Sequence, residues 1–345
     1  MAKEAMFYER LPDNKVRCNL CSRRCIISEG NLGVCAARKN EKGTLISLSY
    51  SRACSISVDP IEKKPLFHYH PGSQVLSIAS PYCNFFCRFC QNWVISQQRT
   101  STDTQEMPPE AVVKTAKRLH CSGISYTYTE PTTFFEWAYD TAKLSNENAL
   151  FNTFVTNGYL TPEAVETVSP YLDAATVDFK GAGDPEFYRE FMRVPSVDPI
   201  YDCLKAMKKH GIHIEITNLV IPKYGDSESL IRELARWIKS NLGEDTPMHL
   251  LRFYPNFDLE DLPATPIETV EKAKKIVMEV GLRYVYAGNI PGNKGENTYC
   301  PKCNELLISR YGFSIGEWKI RDDMTCPVCG TEIAIAGKFH ISPST

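Results

Sequence analysis

The chain has 345 residues, of which 43% are hydrophobic and 23% charged, and its formal net charge is −2. This length predicts one barrel-sized domain with small additions, or two ordinary domains. The near-neutral balance excludes a global basic field that would attract nucleic acid or an anionic membrane, which leaves only local basic patches as a route to nucleic acid.

The start of the chain does not resemble a targeting signal. Charged residues are scattered through residues 1–12, without the apolar core of a secretion signal. Nowhere do about 18 apolar residues run together, as a membrane-spanning helix requires. We therefore expect a cytoplasmic protein without a membrane span.

Eleven of the fourteen cysteines fall into three short groups. In a chain of this size without a secretion signal, such grouping indicates metal ligation rather than disulfides. The other three, Cys54, Cys121 and Cys203, stand alone and are expected to be buried thiols. The groups are Cys18, Cys21, Cys25 and Cys35, then Cys83, Cys87 and Cys90, then Cys300, Cys303, Cys326 and Cys329.

The first group lies in residues 1–73, which we interpret as a cysteine-rich N-terminal lobe. Its spacing, C-x2-C-x3-C-x9-C, offers four thiolates and therefore predicts a closed metal site. Zinc is the preferred occupant, and a second iron–sulfur cluster is the open alternative. Later in this lobe, residues 45–57 alternate as a hairpin of two strands would.

Residues 74–292 alternate short β-branched runs with amphipathic stretches, the pattern of repeated βα units around a parallel sheet. A leading strand and six units predict a partial (β/α)6 barrel with a seventh strand. Functional residues of such barrels collect at the C-terminal ends of the strands. The predicted strands are 75–80, 123–129, 150–156, 173–179, 212–221, 247–253 and 283–287, and the predicted helices are 109–120, 132–145, 162–170, 197–210, 227–241 and 266–280.

The loop after the first barrel strand carries the second cysteine group, Cys83-x3-Cys87-x2-Cys90. A [4Fe-4S] cluster normally takes four thiolates, so three from one loop leave one iron for an outside ligand. The alternative is a structural zinc loop that lacks its fourth ligand.

Polar side chains follow the next three strands. Glu130 ends the second strand and Asn157 the third, while Asp178 and Lys180 face the same side of the fourth. Glu130 and the Asp–Lys pair have ordinary structural alternatives, because Glu130 before Pro131 suits a helix start and the Asp–Lys pair suits a salt bridge.

Strands five and six place further polar residues among apolar neighbours. Buried polar side chains need partners, so these contact either a ligand or the protein itself. The same two alternatives hold for the histidines of residues 66–72. These residues are Thr217, Asn218, His249, Arg252, Tyr254, His68 and His70.

The third cysteine group lies in residues 293–345 and forms two C-x2-C pairs. Cys303 and Cys326 are separated by 22 residues, a spacing close to that of a zinc ribbon. We therefore predict a C-terminal zinc-ribbon-like domain, with rubredoxin-like iron as the alternative metal. Such ribbons contact proteins or nucleic acid, or serve stability alone.

The spacing at Cys83, Cys87 and Cys90 resembles the signature of radical S-adenosylmethionine (SAM) enzymes. Over nearly its whole length the chain resembles the AmmeMemoRadiSam-system radical SAM enzyme, a relative of pyruvate formate-lyase activating enzymes. The segments that carry this resemblance are residues 17–25 (RCNLCSRRC), 66–72 (LFHYHPG), 83–93 (CNFFCRFCQNW) and 284–292 (YVYAGNIPG), and the C-terminal cysteine pairs.

The resemblance implies how SAM would be bound. SAM would complete the [4Fe-4S] cluster through its amino and carboxylate groups. Phe89 would lie beside the adenine, and Glu130 would hold the amino group, although Tyr128 and Thr129 stand where the family has two glycines. The further contacts that the resemblance implies are Asn157, Asp178, Lys180, Thr217 and Arg252.

The resemblance also implies the reaction and the partners. An electron from a flavodoxin- or ferredoxin-like donor would cleave SAM to a 5′-deoxyadenosyl radical, which abstracts hydrogen from a substrate. The family name implies association with Memo-type and AMMECR-type proteins. One alternative is a glycyl-radical-enzyme activase, which the absence of cysteines between Cys90 and Cys121 disfavours. The other is a non-catalytic metal-bound adaptor.

Overall fold

The computed structural model of the chain describes residues 3–98 and 103–340. Its central element is a sheet of eight strands, arranged in space in the same order as in the chain. The first two strands are antiparallel, and every later pair is parallel. The strands are β1 (Ser55–Pro60), β2 (Gln74–Ala79), β3 (Gly123–Tyr126), β4 (Phe151–Thr156), β5 (Ala174–Lys180), β6 (His213–Val220), β7 (Met248–Arg252) and β8 (Val285–Gly288).

At least one α-helix lies in each connection between successive parallel strands, and the connections after β2 and β5 hold two. Pro109 and Pro162 begin two of these helices, where a fixed proline φ and a missing N–H are tolerated. Gly281 ends the last helix with a φ of 99°, a conformation that favours glycine. The helices are α1 (Pro109–Arg118), α2 (Phe135–Glu147), α3 (Pro162–Val168), α4 (Asp198–Lys209), α5 (Glu228–Asn241) and α6 (Ile267–Val280).

Seven parallel strands and six helices confirm the predicted partial (β/α)6 barrel. None of the strand pairings found within residues 3–98 and 103–340 joins β1 to β8, so the barrel is open on that side. Two short helices, Trp93–Ser96 and Pro185–Phe191, lie in the loops after β2 and β5. Among the described residues, none of the helices is long and apolar enough to cross a membrane.

The predicted hairpin at residues 45–57 was wrong. Strand Thr44–Ser47 pairs with Arg38–Glu41, whereas β1 pairs with β2 in the central sheet. The alternating pattern locates a strand, but it does not identify the partner of that strand.

Small sheets precede and follow the barrel. In the N-terminal lobe, two sheets of three strands are formed, and one further strand pairs with a segment before α1. A third three-stranded sheet forms the C-terminal ribbon. These strands are Lys3–Glu4, Tyr8–Arg10, Val16–Cys18, Ile26–Ile27, Arg38–Glu41, Thr44–Ser47, Arg52–Ala53, Gln105–Glu106, Thr298–Tyr299, Leu306–Tyr311 and Ser314–Trp318.

The segment between β1 and β2 crosses the end of the barrel at which the strands begin. Thr176, early in β5, donates a hydrogen bond to the Lys64 carbonyl (2.5 Å), and the His68 amide donates to Glu215 of β6 (2.7 Å). The ribbon packs beneath this segment, since the Ala336 amide donates to the His68 carbonyl (2.8 Å). The segment therefore forms a floor for the barrel interior.

Candidate active site

The barrel interior encloses a cavity of about 590 Å³, within the usual range for small-molecule sites. Cys83, Cys87 and Cys90 line it at the C-terminal ends of the strands, while Lys64 and Phe67 line it from the floor. The cavity thus extends from the cysteine loop down to the segment that closes the barrel.

The cysteine loop is held in place by the chain that follows the short helix Pro185–Phe191. The Phe86 amide donates to the Met192 carbonyl (3.1 Å), and the Arg88 amide donates to Phe191 (2.9 Å). The Gln97 side chain donates to the Cys87 carbonyl (2.8 Å). The loop is therefore fixed on both sides before any ligand binds.

The three thiols of the loop fit the ligand set of an iron–sulfur cluster with one open iron. No fourth cysteine of the described chain lines the cavity. The Phe85 amide donates to the Cys83 sulfur (3.4 Å), a bond that favours a thiolate. Burial, together with the Glu130 carboxylate, raises the pKa of Cys83, so this thiol keeps its proton until a metal replaces it.

Glu130 lies on the same cavity as the cysteines, fully within the protein. Its Oε1 accepts from the Thr132 amide (3.1 Å) and from the hydroxyls of Thr132 (2.6 Å) and Thr156 (2.7 Å). Its Oε2 accepts from the Asn157 amide (2.8 Å). Burial raises the pKa of Glu130 despite these bonds. Glu130 caps the short 3-10 helix Pro131–Phe134, as the structural alternative predicted. It also lines the cavity.

Asn157 links Glu130 to the cysteine loop. Its side-chain amide donates to the Asn84 Oδ1 (2.7 Å) and lies 3.9 Å from the Cys83 sulfur. The residue also lines the cavity. The turn after β4 therefore fixes the carboxylate and the loop relative to each other.

Asp178 and Lys180 line the cavity as an ion pair, with 2.8 Å between Lys180 Nζ and Asp178 Oδ2. Burial alone would lower the pKa of Lys180, but Asp178 and the thiol of Cys87 raise it. Thr217 does not line the cavity and donates its hydroxyl to Asp178 instead. The lysine is thus a fixed cation near the cysteine loop.

Phe89 lines the cavity and stacks on Phe187, with 5.6 Å between ring centroids. Arg252 lies outside the cavity lining, where it donates to the Thr265 carbonyl (2.6 Å) and the Tyr254 hydroxyl (3.0 Å). Tyr254 itself lines the cavity. Arg252 therefore contacts a residue of the cavity, Tyr254, without lining the cavity itself.

The polar residues of the floor hold one another. His249, which lines the cavity, and His213 both contact the buried Glu215 carboxylate (2.7 and 3.2 Å). Burial would raise the pKa of Glu215, but the two imidazoles lower it. His68 contacts the Tyr286 hydroxyl (2.5 Å). These contacts stabilise the floor.

Two further residues of this region have structural contacts that the pattern left open. His70 stacks on Phe151, with 4.7 Å between ring centroids, and its Nδ1 lies 3.1 Å from the His340 Nε2. Asn218 accepts the Ala182 amide (2.9 Å). Neither residue lines the cavity.

Two cavity residues, Lys64 and Tyr128, and the neighbouring Asp59 had no signal as a group in the sequence. Lys64 bonds Asp59 (2.7 Å) and lies 4.4 Å from the centre of the Tyr128 ring, and the Tyr128 hydroxyl donates to Asp59. Burial lowers the pKa of Lys64 to about 8, so this ammonium can exchange a proton near neutral pH. Tyr128 has a φ of 64°, the left-handed conformation that favours glycine.

The four C-terminal cysteines form a compact site for a single metal ion. All four sulfurs lie within 4.8 Å of one another, and the distances from Cys300 to Cys329 and from Cys303 to Cys326 are both 3.6 Å. A tetrahedral zinc ion with Zn–S bonds of about 2.3 Å requires sulfurs about 3.8 Å apart. The spacing therefore fits one tetrahedral ion.

Removal of the metal should destabilise the ribbon, which would then unfold before the barrel. We expect Cys303→Ser to reduce the bound metal by about one ion per chain and to lower the first thermal transition, because a structural ion stabilises its own fold. Metal analysis and calorimetry of the variant test this, with Cys54→Ser as the control. An unchanged metal content would contradict the assignment.

The comparisons with known proteins identify a family domain in the chain. Residues 77–238 match the model of the radical SAM superfamily. An uncharacterised protein of Methanocaldococcus jannaschii is 46% identical over 335 residues, covering 96% of this chain and 99% of that protein.

Two solved structures match part of the chain, and the first of them is similar in fold. A radical SAM methyltransferase from Sphaerobacter thermophilus has a TM-score of 0.51 and 15% identity, covering 63% of this chain and 67% of that chain. A domain of pyruvate-formate lyase-activating enzyme from Bacteroides vulgatus has a TM-score of 0.43 and 18% identity, covering 49% and 99%.

Residues 77–238, which carry the three cysteines at the C-terminal edge of the parallel sheet, are a radical SAM domain. The chain as a whole belongs to the same family as the Methanocaldococcus protein.

Proposed function

We propose that this protein is a radical SAM enzyme. A [4Fe-4S] cluster held by Cys83, Cys87 and Cys90 would, with SAM bound, supply a 5′-deoxyadenosyl radical that abstracts hydrogen from a substrate. The observation that carries this proposal is the meeting of three thiols and the Glu130 carboxylate in one cavity without a fourth cysteine from the described chain.

The residues around the cysteines would bind and orient SAM. Glu130 Oε2 accepts one hydrogen bond from the described chain, so a second acceptor position is left for the SAM amino group. Lys180 offers a cation to the carboxylate of SAM. Phe89, supported by Phe187, offers an apolar ring face to the adenine.

The floor of the cavity would receive the substrate. It combines the aromatic face of Phe67 with the ammonium of Lys64 and the hydroxyl of Tyr128. The cavity volume suits a small molecule or one side chain of a larger substrate rather than a folded domain. The barrel wall would keep water away from the reacting atoms.

An anaerobic assay tests this proposal. The chain is loaded with iron and sulfide and mixed with SAM and either dithionite or reduced flavodoxin. We expect 5′-deoxyadenosine from the wild-type protein and from Cys54→Ala, whose thiol is outside the cavity, and none from Cys87→Ala. Absence of product from iron-loaded wild-type protein would contradict the proposal and favour a metal-bound adaptor.

The same assay separates the substrate classes. Memo-type and AMMECR-type proteins are added as proposed partners, and deuterium transfer from a labelled candidate substrate to 5′-deoxyadenosine is followed by mass spectrometry. A glycine-centred radical signal on an added protein would instead identify an activase.

A further inference from the structure

The four N-terminal cysteines surround a cavity of their own, of about 20 Å³, which is enough for at least one water molecule. The backbone of Cys21 bridges to Leu160 of the barrel, and the Ser22 amide donates to the Tyr159 carbonyl (3.0 Å). The lobe is therefore anchored beside the turn after β4. The cysteines that line the cavity are Cys18, Cys21, Cys25 and Cys35.

The spacing of these sulfurs differs from that of the C-terminal site. Within residues 3–98 and 103–340, the C-terminal set is the one group whose ligand atoms all lie within 4.8 Å of one another. No three of the N-terminal sulfurs form a group as compact as this one. A single zinc ion holds its sulfurs at about 3.8 Å, so zinc would require the N-terminal thiols to move closer together.

A cubane cluster accounts for the wide spacing, because its four irons stand at separate corners and hold the thiolates apart. The sulfurs of Cys83, Cys87 and Cys90 likewise do not form a group as compact as the C-terminal one. The two sites therefore resemble each other, and differ from the C-terminal site, in this respect.

A second observation comes from Asn84, which lines the N-terminal cavity and is 1% exposed. Its Oδ1 accepts from Asn157, whereas its Nδ2 has no hydrogen-bond partner within the described chain. A buried N–H without an acceptor is costly. The sulfides of an iron–sulfur cluster accept N–H bonds, and such bonds tune its potential.

Arg38 adds a positive charge to the same cavity and is 2% exposed. Four thiolates around a cluster give it a net negative charge, which a buried guanidinium offsets. The residue is held by two bonds of 2.9 Å to Glu136. Its charge is therefore fixed beside the cysteines.

We propose that Cys18, Cys21, Cys25 and Cys35 bind a second [4Fe-4S] cluster, in place of the zinc that their spacing in the sequence favoured. Asn84 lines this cavity and directly follows Cys83, a ligand of the first cluster. Asn84 would therefore lie between the two clusters. This proposal goes beyond SAM cleavage, because a filled N-terminal site does not require that reaction.

The decisive experiment removes the first site and counts what remains. The triple variant Cys83→Ala, Cys87→Ala, Cys90→Ala is reconstituted anaerobically and analysed for iron, sulfide and zinc. We expect about four irons and four sulfides per chain, with the paramagnetic resonance signal of a reduced [4Fe-4S] cluster that SAM does not change. A variant with zinc and no iron at the N-terminal site would overturn the proposal.

A complementary variant removes the N-terminal site. We expect Cys18→Ser with Cys21→Ser to lose about four irons relative to the wild type and to keep a SAM-induced change in the remaining signal. Cys54→Ser is the matched control and should keep the full iron content. Should the N-terminal variant fail to fold, the triple variant still decides. If iron is retained at the N-terminal site but SAM does not change the signal of the wild-type protein, the proposed function is contradicted and the second cluster is not.

Discussion

Glu130→Gln should weaken SAM binding about 10- to 100-fold, because a hydrogen bond to a charged group is worth about 1.5–3 kcal/mol. The carboxylate accepts four hydrogen bonds from three residues and keeps one acceptor position toward the cavity. A glutamine would place an N–H₂ group against donors of the protein. The substitution therefore removes the charge that would bind the SAM amino group and also disturbs the turn at Asn157.

Binding of SAM to the iron-loaded, unreduced protein measures this effect without catalysis. Titration calorimetry of Glu130→Gln is compared with that of Glu62→Gln, which alters another buried carboxylate of the same cavity at the floor. We expect the Glu62 variant to bind SAM as the wild type does. Equal SAM affinities in the two variants would exclude Glu130 as the amino-group acceptor.

The position of the site could be predicted from the sequence because it depends on local order along the chain. Alternating runs located the strands. Cys83, Glu130 and Asn157 each follow a strand by a few residues, and Lys180 is the last residue of β5. Parallel strands bring their C-terminal ends to one edge, so these residues had to meet. Arg252 and Thr217 were the exceptions, because neither lines the cavity. The Arg252 side chain donates to the Thr265 carbonyl, and the Thr217 hydroxyl donates to Asp178.

The floor could not be predicted, since it depends on tertiary contacts. Lys64 precedes the parallel strands, and it lines the cavity because the segment between β1 and β2 crosses the barrel. No local pattern indicates the positive φ of Tyr128, at a position where the resembled family has glycine. The distances between the N-terminal sulfurs were likewise absent from the sequence, which specifies the number of ligands and not their separation.

Arg38→Met should lower the free energy of unfolding by about 3–5 kcal/mol, because it leaves a buried carboxylate without its partner. Arg38 donates two bonds of 2.9 Å to Glu136, and both side chains are almost fully buried. The Met6 amide donates to the same carboxylate (3.0 Å). This ion pair joins the N-terminal lobe to α2, so its loss should loosen the lobe from the barrel.

Urea unfolding of Arg38→Met and of the double variant Arg38→Met, Glu136→Leu separates the cost of the unpaired charge from the loss of the lobe contact. We expect the double variant to recover most of the stability, since an apolar pair leaves no buried charge.

Burial would raise the pKa of Glu136, but Arg38 lowers it in the wild type. Without Arg38 the folded state binds a proton more tightly than the unfolded chain, so the deficit of the single variant is largest at neutral pH and shrinks as the pH falls. A deficit that is equal in both variants and independent of pH would place the cost in packing rather than in the unpaired carboxylate.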